Sequence, residues 1–352
     1  MDIETKLEII RSEPFAEVIT EQDLRTILET NDHPKHYLGL EISGMMHLGS
    51  LLVNGKKIND FEKAGIKTQV LLADWHTIAN NKFGGDWERI IKAAEFYRKA
   101  FNKVCPNTRI VLGSDLYKGN DDYWKTMMRF SVRTTLARAT RTLVIQGRNE
   151  KETLHVSQYI YPMMQTTDIL ALDVDIPHAG MDQRKVHMLA KELFKDMKIK
   201  TIAPIHHHLL QSLLEPPKLA ADATKEDLVV ATKMSKSKPG SAILVMASDE
   251  EIRKTMRLAW CPEKIAENNP VLELCKYLIF PLTRKLSIER KMEYGGDVEY
   301  TSYRELESDY RNGKLHPSDL KDGVASSIIN MLEPVRNEFI GKNKELLEVF
   351  KQ

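Results

Sequence analysis

The stretch YLGLEISGMMHLGSLLVNGKKINDFEKAGIKTQVLLA, residues 37–73, decides the fold. Tyr37-Leu38-Gly39-Leu40 is a short strand, followed by a turn-rich run through Ser43 and Gly44. Leu51 to Ala64 carries apolar residues at helical spacing and is closed by Gly65, a residue at which helices readily stop. Lys67 to Ala73 (KTQVLLA) is then a buried-strand candidate. Strand, helix and strand in that order make a βαβ unit, whose crossover is right-handed almost by rule.

The same rhythm continues downstream. Trp87 to Val104 has helical periodicity, Arg109 to Gly113 (RIVLG) reads as a strand, and Asp121 to Gln146 as one long helix. A helix over Gln158–Leu170, a strand-like Ala171–Ile176, a helix over Asp182–Asp196 and a strand-like Lys200–Ile205 follow. Strands separated by helices predict a doubly wound, Rossmann-like α/β domain. Its parallel sheet is covered on both faces, and ligands sit at the carboxyl ends of the strands. Upstream, residues 1–33 read as two short helices, the second starting at Thr20-Glu21-Gln22-Asp23. Residues 211–232, with Pro216-Pro217, read as an exposed loop. Beyond Ser248 strand signals almost vanish. Helical segments at 249–259, 270–279, 302–311 and 317–339 predict a second, all-helical domain. The expected division is 1–247, with the N-terminal helices in 1–33 and the α/β core in 34–247, followed by 248–352.

Composition narrows the class. The 352 residues exceed what one core usually supports, which agrees with two domains. With 42% hydrophobic and 29% charged residues the chain is neither disordered nor fibrous, and no apolar run is long enough to span a bilayer. The acidic N-terminus lacks a secretory pattern. Fifty-one basic against fifty acidic side chains leave a net charge of +1, so a polyanionic partner must be met by a local patch. Cys105, Cys261 and Cys275 form no C-x-x-C pair and suit a reducing compartment; the expected location is the cytoplasm. His206-His207-His208 cannot form one metal site, because alternation along a strand sends neighbours to opposite faces. No metal site is expected.

Lys233-Met234-Ser235-Lys236-Ser237 is the most informative string. Two ammonium groups, two hydroxyls and then Pro239-Gly240 make a positively charged loop able to close on a polyphosphate. Upstream, His47-Leu48-Gly49 follows a strand and turn and opens a helix. A helix start offers unpaired N–H groups to an anion, and a glycine lets a base approach the backbone. A generic cluster of lysines and serines reads as a solvated surface turn, and His47-Leu48-Gly49 alone as a structural turn; the full pentapeptide is much more specific, and paired with the triplet it points to a nucleotide cradle.

These two strings resemble the signatures of class I aminoacyl-tRNA synthetases. Tyr37-Leu38-Gly39, Leu71-Leu72-Ala73-Asp74-Trp75-His76, the segment from Tyr161-Pro162 to Asp168, and Gly180-Met181-Asp182-Gln183-Arg184-Lys185 follow in order. Together they resemble tyrosyl-tRNA synthetases of the archaeal and eukaryotic type. The similarity runs from about residue 33 to about 340. One departure is plain: Ser50 stands where the family often has a second histidine, and a hydroxyl cannot carry positive charge.

The resemblance implies a fold, a reaction and roles. It implies activation of L-tyrosine by ATP, with Mg²⁺ on the phosphates, then transfer to the 3′-terminal adenosine of tRNA(Tyr). It also implies a homodimer and a helical domain that binds the anticodon. His47, Gly49, Lys233 and Lys236 would be catalytic; Ser50, Asp182, Met234, Ser235 and Ser237 would complete the ATP site. Tyr37 and Asp168, the latter as an ionised acceptor, would meet the substrate hydroxyl, and Tyr161, Gln165 and Gln183 its ammonium group. Leu71, Ala73 and His76 would form the pocket wall and edge. Arg141, Arg184 and Lys185 would touch the acceptor end of the tRNA. Tyr294 and His316 would stack on an anticodon base and Asp319 would accept from a guanine edge. Read without the resemblance, an arginine-bearing helix (Arg129, Arg133, Arg138, Arg141) is a solvated face, and His316-Pro317 merely starts a helix. The sister tryptophan enzyme and a noncatalytic tRNA-binding paralogue are the competing readings. An oxidoreductase lacks its G-x-G-x-x-G string.

Overall fold

The computed structural model describes residues 1–147, 153–217, 232–235, 238–341 and 343–351. Six strands, β1 (Phe15–Val18), β2 (His36–Glu41), β3 (Gln69–Ala73), β4 (Arg109–Leu112), β5 (Ile176–Gly180) and β6 (Ile205–His207), form one sheet in the order β1-β6-β5-β2-β3-β4. All pairs from β6 across to β4 are parallel. The chain winds outward from β2 through β3 to β4, then returns to add β5 and β6 on the other side. The switch point therefore lies between β2 and β5, and a crevice opens at their carboxyl ends.

Four local expectations need correction. First, residues 1–33 hold helices Ile3–Ile10 and Glu21–Thr30, but also β1, which pairs antiparallel with β6 at the sheet edge. Four residues are too few for alternation to declare a strand. The second helix starts at Thr20–Asp23 as read, and the two residues form a reciprocal capping box. Second, β5 starts only at Ile176: Asp173 takes φ 51°, and the Asp175 carboxylate accepts from Lys35 N–H at 2.9 Å, which makes the preceding stretch a turn. Likewise β6 starts at Ile205, after Pro204, which has no N–H to give a ladder. Third, the long helix breaks in two. Asp121–Arg133 ends at an extended Thr134, and Thr135 caps the helix Leu136–Thr140 by accepting from Arg138 N–H at 3.2 Å. The four arginines thus do not share a helix. Fourth, the C-terminal part is not all helical. Its helices Asp249–Leu258, Pro270–Leu274, Tyr303–Arg311 and Pro317–Ile340 are accompanied by an antiparallel pair, β7 (Leu286–Ile288) and β8 (Val298–Tyr300). The pair lies on the long helix because Gly323 leaves room: a Cβ there would come within 2.7 Å of the Ile288 side chain.

The C-terminal part packs on the helix Trp87–Val104. The rings of Phe96 and Phe339 stand 4.4 Å apart, with Phe350 5.0 Å from Phe96. Lys103 pairs with Glu338 at 2.8 Å, and Arg89 donates to the Val349 and Lys351 carbonyls at 2.7 and 3.0 Å. Phe339 is fully buried. Phe339→Ala should therefore cost about 3–5 kcal/mol of stability, measurable as a lower urea midpoint.

Candidate active site

A cavity of about 230 Å³ opens at the carboxyl ends of the central strands, lined from Tyr37 and Leu71 at one end to His47, His207 and Lys233 at the other. Its deep end is built on the helix Val156–Ala171, where Tyr161, Gln165 and Asp168 stand at i, i+4 and i+7 and so share a face. Opposite, Leu71 and Ala73 of β3 sit two residues apart and face the same way, as do Tyr37 and Gly39 of β2. Glycine is required at 39, because a Cβ would lie 2.5 Å from the Tyr37 hydroxyl.

Asp168 is the polar centre of this end. It is 1% exposed, and its Oδ1 accepts from Tyr117 Oη at 3.0 Å and Tyr123 Oη at 2.8 Å. Its Oδ2 is buried without a hydrogen-bond partner; His76 Nε2 lies 3.4 Å away but is misaligned. Burial pushes the Asp168 carboxyl up to about 8, against the pull of the two tyrosine donors. Burial also drives His76 down to about 3, so the histidine is neutral. Burial thus favours the protonated form of the Asp168 carboxyl, where the sequence reading has an ionised acceptor. With two O–H groups on Oδ1, that proton belongs on Oδ2. The Tyr161 ring meets His76 edge-on at 4.6 Å. Gln165 Nε2 donates to Gln183 Oε1 at 3.3 Å and Gln183 Nε2 to the Ile145 carbonyl at 3.0 Å. This chain turns both amides one way and leaves Gln165 Oε1 buried without a partner, ready to accept from a cation.

The other end is a cradle of loops. Gly49 N–H donates to His47 Nδ1 at 3.1 Å, which puts the proton of the neutral ring on Nε2. Gly49 is also where a Cβ would press on that ring at 3.1 Å. Ser50 Oγ accepts from His47 N–H at 2.8 Å and donates to the His47 carbonyl at 2.9 Å. The hydroxyl that the resemblance places in the ATP site is thus committed to its own turn. A π-helical turn, Gly49–Val53, then leads into the helix Asn54–Lys63. Leu48 N–H donates to the Ile243 carbonyl and Val245 N–H to Met46, tying this turn to the strand-like segment after the lysine loop. Met234 N–H donates to the Leu210 carbonyl at 2.7 Å and the Ser235 carbonyl accepts from Ser241, so Lys233–Ser235 runs along the cavity rim. Lys233 Nζ rests on Asp182 Oδ2 at 2.8 Å. Lys236 and Ser237 lie outside the described residues.

Comparison with known proteins agrees with this geometry. Residues 29–333 match the family model of class I tRNA synthetases for tryptophan and tyrosine. The tyrosine–tRNA ligase of Thermococcus kodakarensis is 43% identical, over 100% of this chain and 99% of that protein. The chain belongs to this family, on its tyrosine branch. The crystal structure of the Pyrococcus horikoshii tyrosyl-tRNA synthetase complexed with L-tyrosine superimposes with a TM-score of 0.92 at 41% identity, covering 99% of each chain. The tryptophanyl-tRNA synthetase of Aeropyrum pernix reaches 0.68 at 17% identity, a likeness of fold alone.

Within this tyrosine-branch synthetase the remaining candidates are spread out. Arg184 is held by Glu17 Oε1 at 2.8 Å, Lys185 is half-buried beside it in the chain, and Arg141 is exposed at the end of the helix Leu136–Thr140. Tyr294 is exposed before Gly295 and Gly296, which take φ of 96° and 70°. His316 is the N-cap of the helix Pro317–Ile340, its Nδ1 accepting from Ser318 N–H at 3.1 Å, with Asp319 in the first turn. Arg290 donates to the Gly296 carbonyl at 2.8 Å and to Lys314 at 3.2 Å, so it ties the Tyr294 turn to the segment before His316.

Sequence reasoning missed Tyr117, Tyr123 and Arg290. The two tyrosines belong to no contiguous motif; the usable signal was that a buried carboxyl demands donors. Asp168 also has a signature in solution. Its native form keeps a proton that the unfolded chain releases near pH 4, so stability should fall as pH rises from there to about 8. Asp168→Asn, neutral and isosteric, should flatten that slope in chemical unfolding followed across the range. Equal slopes in both proteins would mean the carboxyl titrates normally.

Proposed function

We propose that the chain activates L-tyrosine with ATP and transfers it to the 3′-terminal adenosine of tRNA(Tyr). The observation that carries the reading is Asp168 Oδ2, a buried oxygen with no partner among the described residues, set beside Tyr37 in a wall made apolar by Leu71 and Ala73. A phenol hydroxyl can bond both groups. Phenylalanine would leave the Asp168 oxygen orphaned, which is how a site rejects an analogue lacking one hydroxyl. Gln165 Oε1 and Tyr161 would hold the ammonium group, with Gln183 fixing the amide.

In the first step the tyrosine carboxylate attacks the α-phosphorus of ATP and pyrophosphate leaves. In the second the terminal adenosine hydroxyl attacks the activated carbonyl and AMP leaves. Neither step needs a protein nucleophile, so alignment and charge stabilisation supply the rate. Lys233 would exchange Asp182 for the departing pyrophosphate, joined by Lys236, while His47 Nε2–H bonds the phosphate region. Ser50 would act by shaping the His47 turn. Among the described residues no group of three acidic, histidine or cysteine side chains could cage a metal. Mg²⁺ would thus come in on the ATP phosphates, as this ion usually does.

The α/β part, 1–247, would do this chemistry, and 248–352 would read the anticodon through Tyr294, His316 and Asp319. Arg141, Arg184 and Lys185 would meet the acceptor stem. The working form would be a homodimer. Trp124, Met128 and Val132 follow one another at i+4 on the helix Asp121–Arg133 and are exposed, as are Leu136 just past the break and Val156 and Ile160 on the neighbouring helix. An apolar stripe of that length suits an isologous contact with a second copy. No described helix is long and apolar enough to cross a membrane, and we place the reaction in the cytoplasm.

ATP–pyrophosphate exchange across the twenty amino acids tests the reading. Tyrosine alone should drive it, and exchange driven by tryptophan would overturn it. Asp168→Ala should lower the preference for tyrosine over phenylalanine by orders of magnitude. His316→Ala should weaken tRNA charging and leave adenylate formation nearly intact; equal losses in both steps would make the residue structural.

A further inference from the structure

Three histidines run across the sheet beneath the nucleotide end of the cavity. His36 Nε2 lies 3.1 Å from His178 Nδ1, and His178 Nε2 lies 2.9 Å from His207 Nδ1. They stand on β2, β5 and β6, neighbours in the sheet. His36 and His178 are fully buried, and His36 stacks on Phe61 with ring centroids 4.3 Å apart. His207 alone reaches the cavity wall. Burial holds all three rings far below the ordinary histidine range, so each is neutral, with one donor and one acceptor nitrogen.

A neutral chain of this kind has two polarities, and its ends decide between them. His36 Nδ1 is buried without a partner. If donors ran from His207 inward, that atom would be an orphaned buried N–H, which native structures rarely tolerate. If donors run outward it is only an unused lone pair, the less costly of the two. The outward polarity makes every ring an Nε2–H tautomer and delivers a fixed N–H at His207. Asp182 lines the same cavity, and its charge is felt at the His207 ring. Lys233 takes Asp182 Oδ2, and Oδ1 has no hydrogen bond among the described residues.

A carboxylate acceptor beside an N–H donor selects a group that both donates and accepts. Phosphate oxygens only accept and are repelled by the carboxylate; a sugar hydroxyl satisfies both. We propose that His207 is a nucleotide-binding residue whose Nε2–H, its tautomer set through His178 by His36, donates to a ribose hydroxyl that in turn donates to Asp182. The assignment rests on the tyrosine–ATP reading of the cavity. His36 and His178 are positioning residues that act only through His207.

The test pairs a variant with nucleotides lacking one hydroxyl. With the unmodified protein, either 2′-deoxy-ATP or 3′-deoxy-ATP should show a KM in tyrosine-dependent exchange about tenfold above that of ATP, the loss of one ordinary hydrogen bond. His207→Phe should raise the ATP KM by about the same factor, leave the tyrosine KM unchanged, and show no further loss with that deoxynucleotide. An unchanged ATP KM, or the same deoxy penalty in both proteins, overturns the proposal. Imidazole ¹⁵N NMR of the unmodified protein reads the relay without turnover: His36, His178 and His207 should all be Nε2–H tautomers. His178→Phe should let His207 sample both. An Nδ1–H form at His207 in the unmodified protein overturns the relay even if His207→Phe fails to fold. Absence of any tyrosine-driven exchange would remove the functional reading and the ribose assignment together, while the tautomers still decide the relay.

Discussion

One carboxyl group organises the deep end of the cavity. Asp168 is buried on a helix whose other cavity-facing residues are Tyr161 and Gln165, and burying it is costly unless its oxygens are met. Tyr117 and Tyr123 meet one of them, which obliges the helices Gly113–Tyr117 and Asp121–Arg133 to close over Val156–Ala171. The second oxygen is left without a partner at the deep end of the cavity, near Tyr37, Leu71 and Ala73. Selectivity and local packing are therefore the same interaction seen from its two oxygens. A protein that satisfied Asp168 fully would be more stable and would lose its means of telling a phenol from a phenyl ring.

The nucleotide end depends on backbone more than on side chains. Residues 46–48 and 243–245 exchange hydrogen bonds although they lie far apart in sequence, and Lys233–Ser235 runs beside Leu210–Ser212. Those pairings put the His47 turn and the lysine loop on one rim. Lys233 is kept from straying by Asp182, and a cation held on a weakly screened carboxylate can be handed to a more highly charged group without being desolvated anew.

Much of this was legible because the informative strings are contiguous. Lys233-Met234-Ser235 and His47-Leu48-Gly49 carry their chemistry within a few residues, and Tyr161, Gln165 and Asp168 are spaced by the helix period. The α/β rhythm was legible for the same reason: β2 and β3 are bounded by turns and a full helix. What escaped depends on tertiary context. β1, β7 and β8 have three or four residues, too few to show alternation. The break at Thr134-Thr135 comes from a side-chain cap competing with a helix pattern that otherwise continues. Tyr117, Tyr123 and the His36–His178–His207 relay join residues from separate elements. Ser50, placed by the resemblance in the ATP site, is occupied by the His47 backbone, which no pattern of residue types could have shown.

The short edge strand at the N-terminus has a consequence for how the molecule survives. β6 is only three residues long, yet it carries His206 and His207 and would be an open edge were it not paired with Phe15–Val18. Trimming by a protease ahead of Ile19 would strip that cover and present bare amide and carbonyl groups to other chains. The damage would surface first as self-association, and only through it as lost turnover.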